Sequence, residues 1–150
     1  MYAQKAKASD IKLNLDVSGS IDKAALDYDS IHECLANLIS NAIDACRDDE
    51  NGGSRIRVRV FEKQKIIHYE VVDDGCGMDN EVKKKVFTTF FTTKGLSGTG
   101  LGLLMTRKII QEHGGRIKLE SEPDKGTTFR ILLPRKHLPK IVSVGSDDPE

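Results

Sequence analysis

No tryptophan occurs among the 150 residues of this chain, and aromatic side chains make up only 5% of it. Neither sign of charge dominates, because 23 Lys and Arg balance 23 Asp and Glu. A chain without net charge has no broad field that would attract nucleic acid or an anionic membrane. The composition therefore predicts no nucleic-acid partner and no direct membrane contact, and any anion must be bound by a local site.

Cysteine is also scarce, and the spacing of Cys34, Cys46 and Cys76 matches neither a disulfide framework nor a zinc motif. The sequence contains no secretory signal pattern and no apolar run of membrane-spanning length. We therefore expect reduced thiols and a cytoplasmic location, either for the chain by itself or as the cytosolic part of a larger protein. The length suits one domain with a single core.

Alternating hydrophobicity marks the first predicted strand, residues 11–17. Its apolar side chains all fall on one face: Ile11, Leu13, Leu15 and Val17. Such alternation is typical of a strand with one face on a core. A helix is predicted next, over residues 27–47. Both Asp27 and Ser30 are suitable N-caps, so the start of this helix stays open by one turn.

The remainder of the chain alternates between strands and helices. The predicted elements are strands at 55–62 and 66–73, helices at 80–87 and 101–113, and two strands around a turn at 124–126. Antiparallel strands with a few helices indicate an α+β fold, in which two layers form a sandwich and helices cover one face of the sheet. We expect a domain over residues 11–134, preceded by a linker remnant at 1–10 and followed by a flexible tail at 135–150.

A polar ridge runs along the first long helix. In the stretch NLISNAIDA, Asn37, Asn41 and Asp44 recur at i, i+4 and i+7, which places them on one side of the helix. Side-chain oxygens stacked in this way are suitable ligands for a hard cation such as Mg²⁺. Taken alone, the ridge is better explained by an ordinary polar helix face.

Another candidate site follows the strand at 66–73. In VVDDGCGMD, Asp73 ends an apolar strand, and Gly75 and Gly77 follow in the next loop. A carboxylate there can accept a hydrogen bond from the exocyclic amine of adenine, whereas guanine would place an oxygen at that position. If this motif stood alone, an ordinary Asp-Gly turn would be the favoured interpretation.

Three of the five phenylalanines cluster in the stretch VFTTFFTTK, at Phe87, Phe90 and Phe91. They can pack in the core, or they can anchor a lid to it. Lys94 closes the stretch, either as a solvated lysine or as a point charge for a phosphate.

Glycines then alternate in SGTGLG, at Gly98, Gly100 and Gly102, directly before a predicted helix. Such a loop is either a flexible connection or a cradle that presents a phosphate to the helix N-terminus. Two known phosphate motifs do not match. A dinucleotide fingerprint would need glycine where Leu103 stands, and a P-loop would need lysine where Leu101 stands.

In their order and spacing, these four motifs resemble the N, G1, F and G2 boxes of the catalytic ATP-binding domain of bacterial sensor histidine kinases. That family lies within the GHKL superfamily, which also includes gyrase-type, mismatch-repair and chaperone ATPases. The resemblance covers roughly residues 11–134. It implies a Bergerat-type sandwich with a mixed, mostly antiparallel sheet, and it implies ATP and Mg²⁺ as cofactors.

The same resemblance assigns roles to residues of this sequence. Asn41 is implied as the principal magnesium ligand with Asn37 beside it, and both are the catalytic candidates. Asp73 is implied to read the adenine amine, while Gly75 and Gly77 line the base. The residues expected at the phosphates are Lys94, Gly98, Thr99, Gly100, Leu101 and Gly102.

The sequence departs from its relatives in ways that bear on the reaction. Where ATP-hydrolysing relatives carry a glutamate that activates water, this chain has Asn37, and a neutral amide cannot act as that base. Transfer of phosphate is therefore favoured over hydrolysis, although Glu33, one turn earlier, is a conceivable substitute. Asp44 stands where many such kinases have lysine, which puts a phosphate contact from that position in doubt.

None of the four histidines has the sequence context of a phosphoacceptor. The resemblance therefore implies a protein-histidine kinase catalytic domain whose acceptor histidine lies on a separate dimerisation helical hairpin of the same full-length protein. A response regulator is the implied downstream partner, the isolated chain is expected to be monomeric, and the full-length protein is either cytosolic or a membrane-bound sensor. The alternatives are an ATP-hydrolysing clamp and an anti-sigma-type serine kinase.

Overall fold

The computed structural model describes residues 2–8, 10–47, 55–88 and 102–139. The elements in these ranges are, in chain order, α1 (Tyr2–Ala8), β1 (Lys12–Val17), α2 (Tyr28–Arg47), β2 (Arg55–Lys63), β3 (Ile66–Asp73), α3 (Asn80–Lys85), α4 (Gly102–Glu112), β4 (Arg116–Glu122), β5 (Gly126–Pro134) and a short 3-10 helix (Arg135–His137). The strands form one sheet in the order β1-β2-β3-β5-β4. Only the β1–β2 pair is parallel. The predicted α+β fold with a mixed, mostly antiparallel sheet is confirmed.

One face of the sheet carries the core. Its buried side chains alternate along the central strands: Ile56, Val58, Ile67, Val71, Phe129, Ile131 and Leu133. The stripe of α2 that faces them is also buried and consists of Ile31, Cys34, Leu38, Ala42, Ile43 and Cys46. Burial of such side chains is the main driving force for this two-layer arrangement. Because the apolar stripe of α2 lies on the sheet, its polar ridge comes to lie at the border of the core.

The opposite face of the sheet is polar. Glu70 on β3 lies between Arg59 on β2 and Arg130 on β5, with N–O distances of 3.1 and 3.0 Å. Arg130 also pairs with Glu120 on β4 at 2.9 Å. Cross-strand pairs of opposite charge stabilise neighbouring strands. Charge pairs therefore join the strands on this face, while most of the apolar packing lies on the helical side.

The start of α2 is set by Asp27. Its Oδ1 accepts a hydrogen bond from the backbone N–H of Ser30 at 3.3 Å, and its Oδ2 accepts one from the Ser30 hydroxyl at 3.0 Å. An aspartate that binds the N–H three residues later is an N-cap. Of the two caps that the sequence allows, the structure selects Asp27, and the helix begins at Tyr28.

The burial expected for the first strand is wrong in its second half. The strand begins at Lys12, and Leu15 and Val17 are 70% and 57% exposed. The cause is the position of β1 at the edge of the sheet, where the helical layer covers only its beginning. Alternation in the sequence shows which face a side chain takes, but it does not show how far the covering layer extends.

Both ends of the described chain pack on this domain. At the start, Ala6 of α1 lies in the core. At the end, Leu138 is buried, and Arg135 donates hydrogen bonds to Glu62 and to the carbonyl oxygens of Asp22 and Lys23. The sequence predicts a tail from residue 135 onward. The structure shows instead that the chain stays packed on the domain as far as Leu138. The domain limits themselves stay a prediction.

Candidate nucleotide-binding site

Asp73 ends β3 as a buried acceptor. Its register partners are Ile56 on β2 and Thr127 on β5, and only 6% of the residue is exposed. The carboxylate accepts a hydrogen bond from the backbone N–H of Gly75 at 2.9 Å. Burial raises the pKa of Asp73 from 3.8 to about 6, while the backbone N–H groups of Gly75 and Thr127 oppose the rise. The side chain is therefore ionised at neutral pH, with lone pairs left for a further donor.

The neighbouring Asp74 anchors the loop that follows. Its Oδ1 accepts hydrogen bonds from the backbone N–H of Arg55 at 2.8 Å and from the Cys46 thiol at 3.8 Å. Burial, together with Asp73 and Asp74, raises the pKa of Cys46 to about 12, so the thiol keeps its proton and remains a donor. Asp74 thus joins the loop to the start of β2 and the end of α2.

The two loop glycines are packed against other parts of the protein. A Cβ added at Gly75 would lie 2.6 Å from the carbonyl carbon of Ala45 in α2. Gly77 has a positive φ of +67°, and a Cβ there would lie 1.9 Å from the carbonyl oxygen of Glu122 in β4. Both positions therefore exclude a side chain because of tertiary packing. The expected contact of these glycines with the base stays a prediction.

A serine that the sequence analysis missed holds the same loop. The hydroxyl of Ser121 on β4 accepts a hydrogen bond from the backbone N–H of Met78 at 2.9 Å. It also contacts the Gly126 carbonyl at 3.0 Å and the Thr127 hydroxyl at 2.8 Å. One signal was present in the sequence, because Ser121 is a polar residue at the core-facing position that follows Ile117 and Leu119 in the alternation of β4.

The polar ridge of α2 meets the beginning of α4. The amide Nδ2 of Asn37 lies 3.5 Å from the hydroxyl of Thr106, and a Cβ added at Gly102 would lie 3.6 Å from Asn37 Cγ. Asn41 is one helical turn further along the same ridge. A helix N-terminus attracts anions through its unpaired N–H groups and its dipole. The structure therefore brings Asn37 and Gly102 together beside an element that favours phosphate.

Five of the predicted phosphate-binding residues lie outside the described residues: Lys94, Gly98, Thr99, Gly100 and Leu101. Phe90 and Phe91 lie there too. Phe87 is described, and its ring packs edge-on against Phe129 with centroids 6.4 Å apart. The guanidinium of Arg107 lies 5.3 Å from the centre of the same ring. The phenylalanines were predicted either to pack in the core or to anchor a lid, and the contact of Phe87 with Phe129 is core packing.

The residues on the ridge suit magnesium by their chemistry. Asn37 and Asn41 offer amide oxygens, and Mg²⁺ takes oxygen ligands from few protein groups with water and phosphate completing its shell. Within the described ranges, no group of three or more His, Cys, Asp and Glu is arranged to hold a metal ion.

None of the helices described is long and apolar enough to cross a membrane.

Comparison with known families defines the class of protein. Residues 26–137 match the family described as histidine kinase-, DNA gyrase B-, and HSP90-like ATPase. The match covers most of the chain and includes α2, the Asp73 loop and α4. The chain therefore belongs to this ATPase family.

Curated relatives narrow the class further. The chain is 37% identical over 102 residues to a probable C4-dicarboxylate sensor kinase of Halalkalibacterium halodurans. This match covers 68% of this chain and 19% of that protein. It is also 32% identical over 150 residues to the sensor histidine kinase ZraS of Escherichia coli. That match covers 100% of this chain and 30% of ZraS. The chain thus spans less than a third of the length of these relatives. Within its family it is a catalytic and ATP-binding domain of the sensor histidine kinase type.

Solved structures agree with this assignment. The nucleotide-free catalytic domain of the histidine kinase ThkA superimposes with a TM-score of 0.76 at 32% identity, covering 89% of this chain and 86% of that one. Full-length ShkA in complex with AMPPNP gives a TM-score of 0.78 at 19% identity, covering 93% of this chain and 28% of that one. The second likeness shows the fold alone.

Proposed function

We propose that this chain binds ATP with Mg²⁺ and transfers the γ-phosphate to a histidine on a dimerisation hairpin of the same full-length protein, from which a response regulator receives it. The observation that carries the proposal is Asn37 beside the start of α4. A hydrolysing relative needs a general base to activate water there, and an amide has no basic group. The site is therefore suited to donating phosphate to a nucleophile that another segment supplies.

Each described residue has a part in this proposal. Asp73 accepts a hydrogen bond from the adenine amine, because its carboxylate is ionised and retains acceptor capacity beside two backbone donors. Asn41 and Asn37 offer oxygens to Mg²⁺, which when bound neutralises charge on the phosphates. The N-terminal N–H groups of α4, which begins beside Asn37, bind phosphate oxygens in this proposal. The residues predicted between Lys94 and Leu101 complete the phosphate contacts.

The first experiment separates transfer from hydrolysis. We expect the isolated chain at saturating ATP and Mg²⁺ to bind nucleotide but to release phosphate at a rate near background. Binding and release are measured in the same sample, by calorimetry and by a phosphate assay. Steady release that Glu33→Gln abolishes would identify a hydrolase and overturn the proposal, because Glu33 lies one turn from Asn37 on α2.

The acceptor is tested on the full-length protein. With labelled ATP we expect a phosphoprotein that is stable in base and labile in acid, which is the chemistry of a phosphohistidine. Label that survives acid would indicate a serine or threonine acceptor and would favour the anti-sigma-type alternative. The Asn41→Ala variant is the control, because label that depends on this site should be lost in it.

The ionisation of Asp73 gives an independent check on the adenine contact. In the free chain, we expect the Asp73 carboxyl to titrate near pH 6 in a ¹³C NMR experiment. ATP should lower this midpoint, because a hydrogen bond from the adenine amine stabilises the ionised form. By linkage, each unit of lowering corresponds to a tenfold preference of ATP for the ionised protein. GTP is the control, and an unchanged midpoint with saturating ATP would remove Asp73 from its proposed role.

A further inference from the structure

A buried threonine stands at the junction of the two helices that frame the site. Thr106, on α4, is 0% exposed, and its hydroxyl oxygen lies 2.8 Å from the Gly102 carbonyl oxygen and 3.5 Å from Asn37 Nδ2. The thiol of Cys34 on α2 approaches the Thr106 carbonyl at 3.9 Å. Thr106 thus connects the first residue of α4 to the amide of α2 that lies beside it.

The single proton of this hydroxyl determines what its neighbours must be. A backbone carbonyl only accepts hydrogen bonds, so Thr106 donates its proton to Gly102. The hydroxyl then has only lone pairs left, and the group facing it must be a donor. Asn37 meets this requirement with its NH₂ group, whereas the reversed amide would set two acceptor oxygens against each other. The Asn37 oxygen is therefore turned away from Thr106.

We propose that Thr106 is a positioning residue that fixes the orientation of the Asn37 amide, so that the amide oxygen is presented to the Mg²⁺-ATP site. The inference rests on the proposed function, since it concerns the magnesium that the transfer reaction uses. An amide oxygen is a ligand for this cation, while an NH₂ group in the same place would repel it. None of the four sequence motifs includes Thr106, which lies one turn beyond the last glycine at Gly102.

The test compares variants with and without the hydroxyl. ATP affinity of the whole chain is measured with Mg²⁺ and again with EDTA for Thr106→Val, which keeps the shape, and for Thr106→Ser, which keeps the hydroxyl. A lost hydrogen bond is worth about 0.5–1.5 kcal/mol, or about 2- to 12-fold in affinity. We expect Thr106→Val to lose this much affinity with Mg²⁺ only, and Thr106→Ser to retain it. Should the valine variant not fold, Thr106→Ala replaces it.

A double-mutant cycle shows whether the effect passes through Asn37. In the Asn37→Ala background, Thr106→Val should cause no further loss of magnesium-dependent affinity, because the amide that Thr106 orients is absent. Equal losses with Mg²⁺ and with EDTA, or additive losses in the cycle, would assign Thr106 a purely structural role. Asn41→Ala distinguishes the two proposals. If it has no magnesium-dependent effect, the proposed function fails at its metal site, whereas a loss there with no effect of Thr106→Val refutes this inference alone.

Discussion

We expect Asp73→Asn to weaken ATP binding by about a hundredfold. Asp73 already accepts a hydrogen bond from the backbone N–H of Gly75, the backbone N–H of Thr127 also favours its ionised form, and adenine would bring a third donor. Asparagine has one acceptor oxygen, and its NH₂ group would have to face one of these three donors. Losing a hydrogen bond to a charged group costs about 1.5–3 kcal/mol, and about 2.7 kcal/mol corresponds to a hundredfold change in affinity.

Calorimetry with ATP measures this loss, and Asp16→Asn is the matched control. Asp16 is an exposed aspartate on β1, away from the Asp73 loop, so its neutralisation changes the same charge without touching the site. Thermal unfolding of both variants shows that the domain is intact. An Asp73→Asn variant that is folded and binds ATP with unchanged affinity would contradict the adenine contact.

We expect Gly77→Ala to destabilise the domain by about 2–5 kcal/mol and to abolish ATP binding with it. Two costs add at this position. The positive φ of +67° is unfavourable for any residue with a Cβ by about 1–2 kcal/mol. The added Cβ would also lie 1.9 Å from the Glu122 carbonyl oxygen, and overpacking of this kind typically costs about 1–3 kcal/mol.

Gly19→Ala separates these two costs. Gly19 has a φ of +70°, but a Cβ added there meets nothing within 4 Å. It should therefore show the backbone cost alone, about 1–2 kcal/mol, and leave ATP binding intact. The free energies of unfolding are compared by urea denaturation. Equal destabilisation of the two variants would show that the loop moves away from Glu122 without penalty, and that the close packing of Gly77 is not essential.

The sequence predicted those parts of the site that depend on residue type within one element. Asn37 and Asn41 are one turn apart because a helix has a fixed period, and Asp73 ends a strand whose apolar pattern is visible in the sequence. Gly75 shows where this reasoning stops. Its close approach to Ala45 depends on how α2 lies against the loop, and no local pattern records that contact.

The residues that could not be found from the sequence lie where two elements of secondary structure contact each other. Ser121 and Thr106 are ordinary polar residues until β4 meets the Asp73 loop and α4 meets α2. The exposed Leu15 shows the same limit in the opposite direction, because its burial depended on a helical layer that does not reach it. Patterns within an element were thus predictable, while the extent and closeness of packing between elements were not.

The order of strands in the sheet also bears on when the proposed nucleotide site can form during synthesis of the chain. Asp73 ends a local hairpin, β2–β3, but its register partner Thr127, whose backbone N–H favours the ionised carboxylate, belongs to β5, the last of the described strands. Pairing of β3 with β5 closes a long loop, which is entropically slower than forming either hairpin. Under the proposed function, a nascent chain that has left the ribosome only as far as α4 therefore has an incomplete acceptor for adenine. If Asp73 is the adenine acceptor, as proposed, we expect ATP binding by this domain only after β5 has emerged and joined the sheet.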